Sequence, residues 1–373
     1  MHIADVTMFH APASGGVRTY LQAKHRVLGR CPDIRTSLLV PGAERDSLGD
    51  VHTLPAPHLP LGQGYRFPVR SGPWRRALID LKPDLIEAGD PYVTAWAALS
   101  AGQQLGVPVV GFYHSDLPRL MGDRFGTYVR KRLIRYVVDL YSRFDSVLAP
   151  SQTMADRLRD WGVSEVRVQP LGVDLERFHP RARDGELRAS LGIDPGKRLL
   201  IFVGRYSREK NIGMLLATMR QLGPDYHLLL IGPGMPRQVP SNVTVIDRCC
   251  NAHEVARALA SSDAMLHAGT RETFGLVAQE AMACGIPVIA ANIGALSENV
   301  PLGGGILCQP RDPAAMAAAC RALFDRDIAA SGRYARRHVE KNFNWDKVIL
   351  DLKAHYQSLC SFDALPVSHA HSR

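Results

Sequence analysis

The chain has 373 residues, of which 46% are hydrophobic and 22% charged, and it carries a net charge of +9 at pH 7. This length suits two domains, and the composition excludes a disordered or fibrous protein. No segment approaches the roughly 20 apolar residues of a membrane span, and the N-terminus has the pattern of a first strand rather than a signal peptide. The seven cysteines are odd in number and lack zinc-ligand spacing, so we expect reduced thiols in a cytoplasmic protein.

Short apolar runs alternate with helix-like segments along the chain, as is typical of parallel strands that are buried on both faces. The first series of predicted strands covers residues 2–8, 36–40, 84–88, 109–114 and 145–149. The second series covers residues 198–203, 226–231, 243–246, 263–267, 286–290 and 305–308. We therefore predict an α/β protein made of two doubly wound, Rossmann-like domains that face a central cleft.

A polar segment divides the two series of strands. Residues 171–195 are rich in Gly, Pro and charge and lack strand character, so we predict an interdomain linker there. The linker separates an N-terminal domain at 1–170 from a C-terminal domain at 196–343. A helix is predicted at 344–362, followed by a mobile tail at 363–373.

Two motifs in the first half directly follow strands. Ligands of doubly wound proteins bind at the carboxyl ends of the strands, which makes such residues candidates. Gly15 and Gly16 open a predicted helix, 17–28, whose exposed N–H groups suit a phosphate, although an ordinary turn has the same pattern. His114 ends the strand at 109–114 and is predicted to face the cleft, with a structural histidine as the alternative.

Positive charge is concentrated in residues 117–143, which hold seven Lys or Arg against two Asp. Such a segment suits an anionic partner, and a solvated helix face is the alternative. The candidate residues for an acceptor or a membrane are Arg119, Arg124, Arg130, Lys131, Arg132 and Arg135.

Two further motifs follow strands in the second half. Arg205 and Lys210 lie between a strand and a helix, where two cations could neutralise a diphosphate; solvated loop cations are the alternative. Gly232 begins a Gly-Pro-Gly turn that allows the backbone to approach a ligand such as a nucleobase, and a plain turn is the alternative.

The stretch RETFGLVAQEAMACGIPVIA contains Glu272 and Glu280, eight residues apart. We predict a helix from Gly275 to about Cys284, which leaves Glu272 on a loop and Glu280 about one turn into the helix. Helical side chains lean toward the N-terminus, so both carboxylates can reach a ligand at the helix start. Sugar and ribose hydroxyls on either side of a diphosphate match this pattern; a capping acid plus a surface acid is the alternative.

These motifs together resemble the retaining GT-B glycosyltransferases of family 4. The resemblance covers nearly the whole chain. It rests on PSQTMADRLRDWGV followed by VQPLGVDLERFHP, on VGRYSREKN and on ETFGLVAQEAMACGIPVIA. Three matches in the family's order are more specific than any one of them.

The resemblance implies a role for each motif residue. Glu272 would contact hydroxyls of the transferred sugar, Glu280 would hold the ribose, and His114 would lie beside the anomeric carbon. The helix around Trp345 would cross back to the first domain. The residues that would contact the diphosphate, line the rest of the donor site or border the base are Arg205, Lys210, Gly15, Gly16, Phe274, Gly275, Leu276, Val277, Gly232 and Arg248.

The implied activity is that of a retaining hexosyltransferase, which moves a hexose from a nucleotide-diphosphate sugar of the GDP-mannose or UDP-glucose type to a lipid or glycan hydroxyl. We expect no cofactor and no metal, because the cations suit the diphosphate and the DxD match at 325–327 ends a helix-like stretch. The segment FYHSDLPRL resembles members that glycosylate lipids, including mannosyltransferases acting on phosphatidylinositol. We therefore hypothesise that the basic segment contacts an anionic membrane, at the inner face of the plasma membrane.

Other functions remain open on this fold. A sugar-nucleotide epimerase or a disaccharide phosphorylase could use the same site, and so could a non-catalytic subunit that binds a sugar nucleotide. A nucleic-acid partner is not expected, because the basic residues are not interleaved with aromatic ones in a recognition motif.

Overall fold

The computed structural model describes residues 1–10, 15–58 and 64–362. These residues form two compact units, each built on its own sheet. One unit holds the chain up to Pro170 together with the C-terminal segment from Trp345, and the other holds Leu171–Asn344. The segment predicted as a linker is grouped with the second unit, and the predicted mobile tail lies outside the described residues.

The first unit is an eight-stranded sheet with helices between its strands. Its strand order is β3-β4-β2-β1-β5-β6-β7-β8, and every neighbouring pair is parallel except β3 with β4. Its elements are β1 His2–Val6, α1 Gly16–Leu28, β2 Arg35–Gly42, β3 Asp46–Leu48, β4 Val51–Pro55, α2 Ser71–Leu81, β5 Leu85–Ala88, α3 Val93–Leu105, β6 Val109–Phe112, α4 Leu117–Phe125, α5 Thr127–Tyr141, β7 Ser146–Ala149, α6 Gln152–Trp161 and β8 Val166–Val168.

The second unit is a six-stranded parallel sheet of order β11-β10-β9-β12-β13-β14. Its elements are α7 Leu187–Ser190, β9 Arg198–Val203, α8 Ile212–Leu222, β10 Tyr226–Ile231, β11 Val243–Ile246, α9 Ala252–Ala260, β12 Ala264–His267, α10 Leu276–Ala283, β13 Val288–Ala291, α11 Ala295–Asn299, β14 Gly305–Cys308, α12 Pro313–Phe324 and α13 Ile328–Asn342. A last helix, α14 at Trp345–Phe362, belongs to the first unit.

The central strands are buried throughout and mostly apolar, because helices cover both faces of each sheet. The residues of β1, β5, β6, β9, β10, β12 and β13 are all buried apart from the exposed first residue of β9. Such buried runs are typical of doubly wound sheets, so the predicted α/β class with two doubly wound domains is confirmed. Three peripheral strands escaped prediction: β3 is fully exposed, β4 is mostly half-buried, and β8 has three residues.

Each sheet reverses its strand order at one point, and loops that follow the two strands there diverge to opposite sides. In the first sheet this point lies between β1 and β5, and in the second it lies between β9 and β12. The carboxyl ends of strands at such a switch point form the ligand-binding crevice of a doubly wound domain. The loops after β9 and β12 are therefore the first place to look for a site.

A buried charged cluster joins α14 to the first sheet. Asp5 and Glu87 are paired across β1 and β5, an arrangement that is unfavourable for two carboxylates unless a cation lies between them. Lys24 supplies that cation: its Nζ lies 2.6 Å from Asp5 Oδ1 and 3.0 Å from Glu87 Oε2. The Tyr356 hydroxyl, on α14, lies 2.9 Å from the same Nζ and also donates to Glu87.

Lys24 sets the charge of this cluster. Burial by itself raises the pKa of Asp5, but Lys24 and His25 outweigh that effect and hold the pKa at about 2. The two carboxylates also raise the pKa of Lys24 against the opposing effect of burial. The ammonium therefore stays charged, and Tyr356 makes the C-terminal helix part of the first unit's polar core.

Candidate active site

Glu272 and Glu280 lie on different elements, as predicted. The helix α10 begins at Leu276, so Glu272 lies on the preceding loop and Glu280 lies on the helix. Gly275 precedes the helix with a φ of 84°, and a Cβ at this position would lie 2.9 Å from Leu296 Cδ2. A residue with a side chain would be strained here, which explains the glycine at the start of this helix.

Glu272 forms an ion pair with Lys210 across the switch point. The Lys210 Nζ lies 2.5 Å from Glu272 Oε1, and the two side chains are only 19% and 15% exposed. Burial favours the protonated acid, but Lys210 more than offsets it and, with His267 and Arg205, lowers the pKa of Glu272 to about 2. Glu272 is therefore an ionised hydrogen-bond acceptor at any physiological pH, which suits it to bind hydroxyl groups.

Backbone hydrogen bonds fix the Glu272 loop between its neighbours. The Thr270 N–H donates to the Glu209 carbonyl at 3.1 Å, which connects this loop to the one after β9. The Ala295 N–H donates to the Glu272 carbonyl at 3.3 Å, which connects it to the start of α11. The position of the carboxylate is thus set by three loops rather than by one flexible segment.

The start of α10 is held by a chain of buried amides. Asn299 Nδ2 donates to the Phe274 carbonyl at 2.7 Å, and Gln279 Nε2 donates to the Asn299 carbonyl at 3.3 Å. The Phe274 side chain is buried and packs edge-on against Phe343, so Phe274 can reach a ligand only through its backbone. The first N–H groups of α10, which include those of Leu276 and Val277, have no partner within an α-helix and are suited to an anion.

Glu280 is half-buried and has an unusual protonation state. Burial raises its pKa to about 8, against the opposing effect of Arg177 and with a smaller contribution from Asp174. Arg177 and Asp174 lie 3.6 Å apart in an ion pair on the segment before β9. Sequence reasoning missed both residues, although they belong to the LGVDLERFHP stretch that carried the family resemblance. Glu280 is therefore mostly protonated near neutral pH.

The loops after β9 and β10 touch through their backbones. A Cβ at Gly232 would lie 2.1 Å from the Gly204 carbonyl oxygen, so only glycine fits, and the Tyr206 N–H donates to the Pro233 carbonyl at 2.9 Å. Arg205 lies on the first of these loops with its guanidinium about half-exposed and 3.8 Å from Glu209. The loop that carries Lys210 thus also presents Arg205 at the same edge of the sheet.

Arg248 lies after β11 and is paired with Glu254. Its guanidinium is exposed and lies 2.6 Å from Glu254 Oε1, while Glu254 also caps α9 together with Asn251. Neighbouring Asp247 accepts the Gly234 N–H at 2.6 Å. These contacts shape the loops where a base was predicted to bind.

The candidates of the first unit lie at the carboxyl edge of its sheet. The helix α1 begins at Gly16, and a Cβ at Gly15 or Gly16 would meet no atom within 4 Å. The strand β6 ends at Phe112, two residues before His114, whose ring stacks on Phe112 at 3.9 Å and lies 5.3 Å from Tyr20. Burial, with a smaller effect of Lys24, lowers the pKa of His114 to about 3, so the imidazole is neutral.

The basic segment forms α4 and α5 on the surface of the first unit. Three large hydrophobic side chains are exposed among its cations: Leu120 by 39%, Phe125 by 54% and Tyr128 by 69%. Two guanidinium groups lie over these rings, Arg124 at 5.4 Å from Phe125 and Arg132 at 5.9 Å from Tyr128. The cations on this surface that are exposed are Arg124, Arg130, Lys131, Arg132 and Arg135, whereas Arg119 is half-buried.

Two absences hold for the described part of the chain. No group of three or more His, Cys, Asp or Glu side chains is placed to hold a metal ion there. In the DxD match, Asp325 ends α12 and Asp327 caps α13. None of the helices within residues 1–10, 15–58 and 64–362 is long and apolar enough to cross a membrane.

The fold and the site define a class of protein. Two doubly wound units, with a paired cation and carboxylate beside a helix N-terminus at a switch point, are the architecture of a GT-B glycosyltransferase that uses a sugar nucleotide. A solved structure of the same fold is the sucrose-phosphate synthase of Thermosynechococcus elongatus, with a TM-score of 0.79 at 23% identity over 97% of this chain and 99% of that one.

Sequence comparison then gives the family. The model described as "Glycosyltransferase Family 4" matches residues 14–177, and "Glycosyl transferases group 1" matches residues 184–338. A GDP-mannose-dependent alpha-(1-6)-phosphatidylinositol dimannoside mannosyltransferase of Mycobacterium tuberculosis is 32% identical over 95% of both chains. A GDP-mannose-dependent alpha-mannosyltransferase of that species is 31% identical over 86% of this chain and 85% of its own. The chain belongs to the group 1, family 4 glycosyltransferases.

Proposed function

We propose that the protein transfers mannose from GDP-mannose to a hydroxyl of a lipid-linked acceptor, with retention of the anomeric configuration and without a metal ion. The observation that carries this proposal is the Lys210–Glu272 pair beside the N-terminus of α10. It supplies a carboxylate for sugar hydroxyls and a cation for a diphosphate at one point of the structure. The similarity to two GDP-mannose-dependent mannosyltransferases favours GDP-mannose over UDP-glucose as the donor.

The cations of the site support transfer without a metal ion. Negative charge grows on the diphosphate as the anomeric bond breaks, and its stabilisation is the main electrostatic task of the reaction. Lys210 and Arg205, together with the N–H groups at the start of α10, can meet that charge. Glu272 binds sugar hydroxyls in this scheme, and Glu280 binds the ribose.

Retention is proposed to proceed by attack of the acceptor on the face that the leaving group departs from. In this scheme a diphosphate oxygen takes the proton of the acceptor hydroxyl, the new glycosidic bond forms and the anomeric C–O bond to phosphate breaks. The alternative, a covalent glycosyl-enzyme, needs a carboxylate nucleophile. Glu272 is poorly suited to that task because Lys210 already neutralises it and lowers its basicity. His114 is kept among the proposed catalytic residues as a neutral imidazole that adds no positive charge.

The donor and the stereochemistry can be tested on the wild-type protein. A panel of GDP- and UDP-sugars should give the largest thermal shift and the fastest hydrolysis with GDP-mannose, with or without EDTA. The anomeric proton coupling of the product should show the same configuration as the donor. Preference for a UDP-sugar would overturn the donor assignment, an inverted product would overturn retention, and loss of turnover in EDTA would overturn metal independence.

The surface formed by α4 and α5 supports a lipid-linked acceptor. Basic residues near an anionic membrane contribute about 1 kcal/mol each, and the exposed aromatic rings among them suit the membrane interface. We expect co-sedimentation with vesicles that contain an anionic lipid and not with neutral vesicles. A variant with Ser at residues 130, 131, 132 and 135 should lose this binding. The matched control replaces four exposed cations elsewhere on the first unit, at Arg45, Arg70, Arg75 and Arg76.

Equal loss in both variants would show that the binding follows net charge alone. Equal binding of the wild-type protein to neutral and anionic vesicles would refute the role of the basic surface. Either result would leave the donor assignment untouched, because that assignment depends on the second unit.

A further inference from the structure

His267 is a buried histidine that none of the roles above uses. It is the last residue of β12, its side chain is 1% exposed, and its ring lies edge-on to Phe202 with centroids 5.9 Å apart. It is placed where the strand passes into the Glu272 loop. Its ring lies beside the carboxylate of Glu272.

The two ring nitrogens of His267 have distinct partners. Nδ1 accepts the Gly269 N–H at 3.1 Å, so in the neutral ring the proton belongs on Nε2. Nε2 lies 3.5 Å from Glu272 Oε1, the same oxygen that Lys210 contacts at 2.5 Å. Burial, opposed in part by Glu272, lowers the pKa of His267 to about 4. The ring therefore stays neutral and points a polar N–H at the carboxylate.

The backbone leaves room for this arrangement. A Cβ at Gly269 would lie 2.5 Å from His267 Cε1 and 3.1 Å from Glu272 Oε1. Glycine at this position allows the imidazole and the carboxylate to meet beside the turn. The His267 ring, the Gly269 backbone and the Glu272 side chain thus form one packed unit.

We infer that His267 is a positioning residue, which directs one oxygen of Glu272 inward so that the other is presented to the sugar. This inference depends on the proposed function, in which Glu272 contacts the transferred sugar. Lys210 and His267 both approach Oε1, so the carboxylate is held from one side and Oε2 keeps its acceptor capacity for substrate hydroxyls. Because His267 is neutral, it fixes the orientation without adding a second positive charge that would compete with Lys210.

Two substitutions separate the two contacts of the ring. The amide of Gln in His267→Gln reaches the Nε2 position and can still donate to Glu272. The shorter amide of Asn in His267→Asn reaches only the Nδ1 position, so it can accept the Gly269 N–H but loses the contact with Glu272. His227→Asn is the matched control, since His227 is another buried histidine of the second sheet, hydrogen-bonded to Thr244 at 2.8 Å.

The experiment compares calorimetric binding of GDP and GDP-mannose, and kcat/KM for transfer, among these variants. We expect His267→Asn to bind GDP like the wild-type protein and to lose about tenfold to a hundredfold in kcat/KM, as for one hydrogen bond to a charged group. His267→Gln should recover most of that loss, and the control should lose little. Equal weakening of GDP and GDP-mannose binding in His267→Asn, or no recovery in His267→Gln, would overturn the positioning role.

Failure of the proposed function gives a different result. If the wild-type protein does not turn over GDP-mannose, the donor assignment fails, and the same variants are compared with the sugar nucleotide that the donor panel selects. A selective loss for that sugar nucleotide, with its free nucleoside diphosphate bound normally, would still support the positioning role. An unchanged kcat/KM in His267→Asn would refute it for any donor.

Discussion

Donor binding should depend on pH through Glu280. This side chain is half-buried, and its pKa of about 8 leaves the acid mostly protonated at pH 7. Ribose hydroxyls that donate to the carboxylate favour its charged form, so binding should release a proton. The pKa of nearby Cys284 is raised to about 12, so its thiol does not titrate in the same range as Glu280.

The magnitude follows from the pKa. About a tenth of the free protein carries a charged Glu280 at pH 7, so the apparent affinity should be about tenfold, or 1.4 kcal/mol, weaker than on the alkaline side of the titration. Calorimetry with GDP-mannose in buffers of different ionisation enthalpy measures the protons released directly. Near pH 7 the release should approach about 0.9 proton per donor bound.

Glu280→Gln is the perturbation that isolates this effect. The amide keeps hydrogen-bonding capacity but cannot ionise, so affinity should weaken and its dependence on pH between about 6 and 8.5 should disappear. The pKa values of Glu272 and His267, about 2 and about 4, lie outside this window. Affinity that does not change with pH in the wild-type protein, or binding without proton release, would refute the ribose-binding role of Glu280.

Three further predictions concern the two cations of the candidate active site and the buried charged cluster of the first unit. Replacing Arg205 and Lys210 together with Ala should reduce kcat far more than it weakens binding of GDP-mannose, because the charge is needed most in the transition state; turnover near that of the wild-type protein would contradict it. Lys24→Met removes the cation that lies between the two buried carboxylates and should lower the free energy of unfolding by about 3–5 kcal/mol in urea titrations. The pKa values of those carboxylates would then rise, so the loss should be smaller at acidic pH, and a loss independent of pH would argue against the mechanism. Tyr356→Phe should cost about 1–3 kcal/mol, since Glu87 and Lys24 lose a buried partner, and an unchanged urea midpoint would refute that contribution.

The sequence was sufficient to predict the elements that position the candidate active site in the second unit. The strands β9 and β10 are continuous apolar runs, and the glycine before α10 marked the helix start, so Glu272 and Glu280 could be assigned to a loop and a helix. The protonation states of Glu272 and Glu280 could not be predicted from the sequence. The ionised state of Glu272 and the protonated state of Glu280 depend on Lys210, Arg177 and burial, which no local pattern specifies.

His267 shows why some site residues were missed. Its neighbours in sequence are the apolar residues of a buried strand, so the pattern indicates a core side chain. Its role comes from a hydrogen bond to Gly269 that fixes the ring and from a carboxylate five residues later. A polar residue at the end of a buried parallel strand was the available signal, and its partner became evident only from the loop geometry.

The position of Tyr356 also has a consequence for the order in which the protein matures. The first sheet is completed by β8 before any strand of the second sheet is synthesised, yet Lys24 and Glu87 receive the hydroxyl of Tyr356 from α14, which is made only after the whole second sheet. Until α14 leaves the ribosome, the nascent first unit holds a charged cluster with one side uncovered. Two segments that the second unit separates in sequence therefore form one folding unit, and a fragment of residues 1–170 lacks the helix that closes its own core.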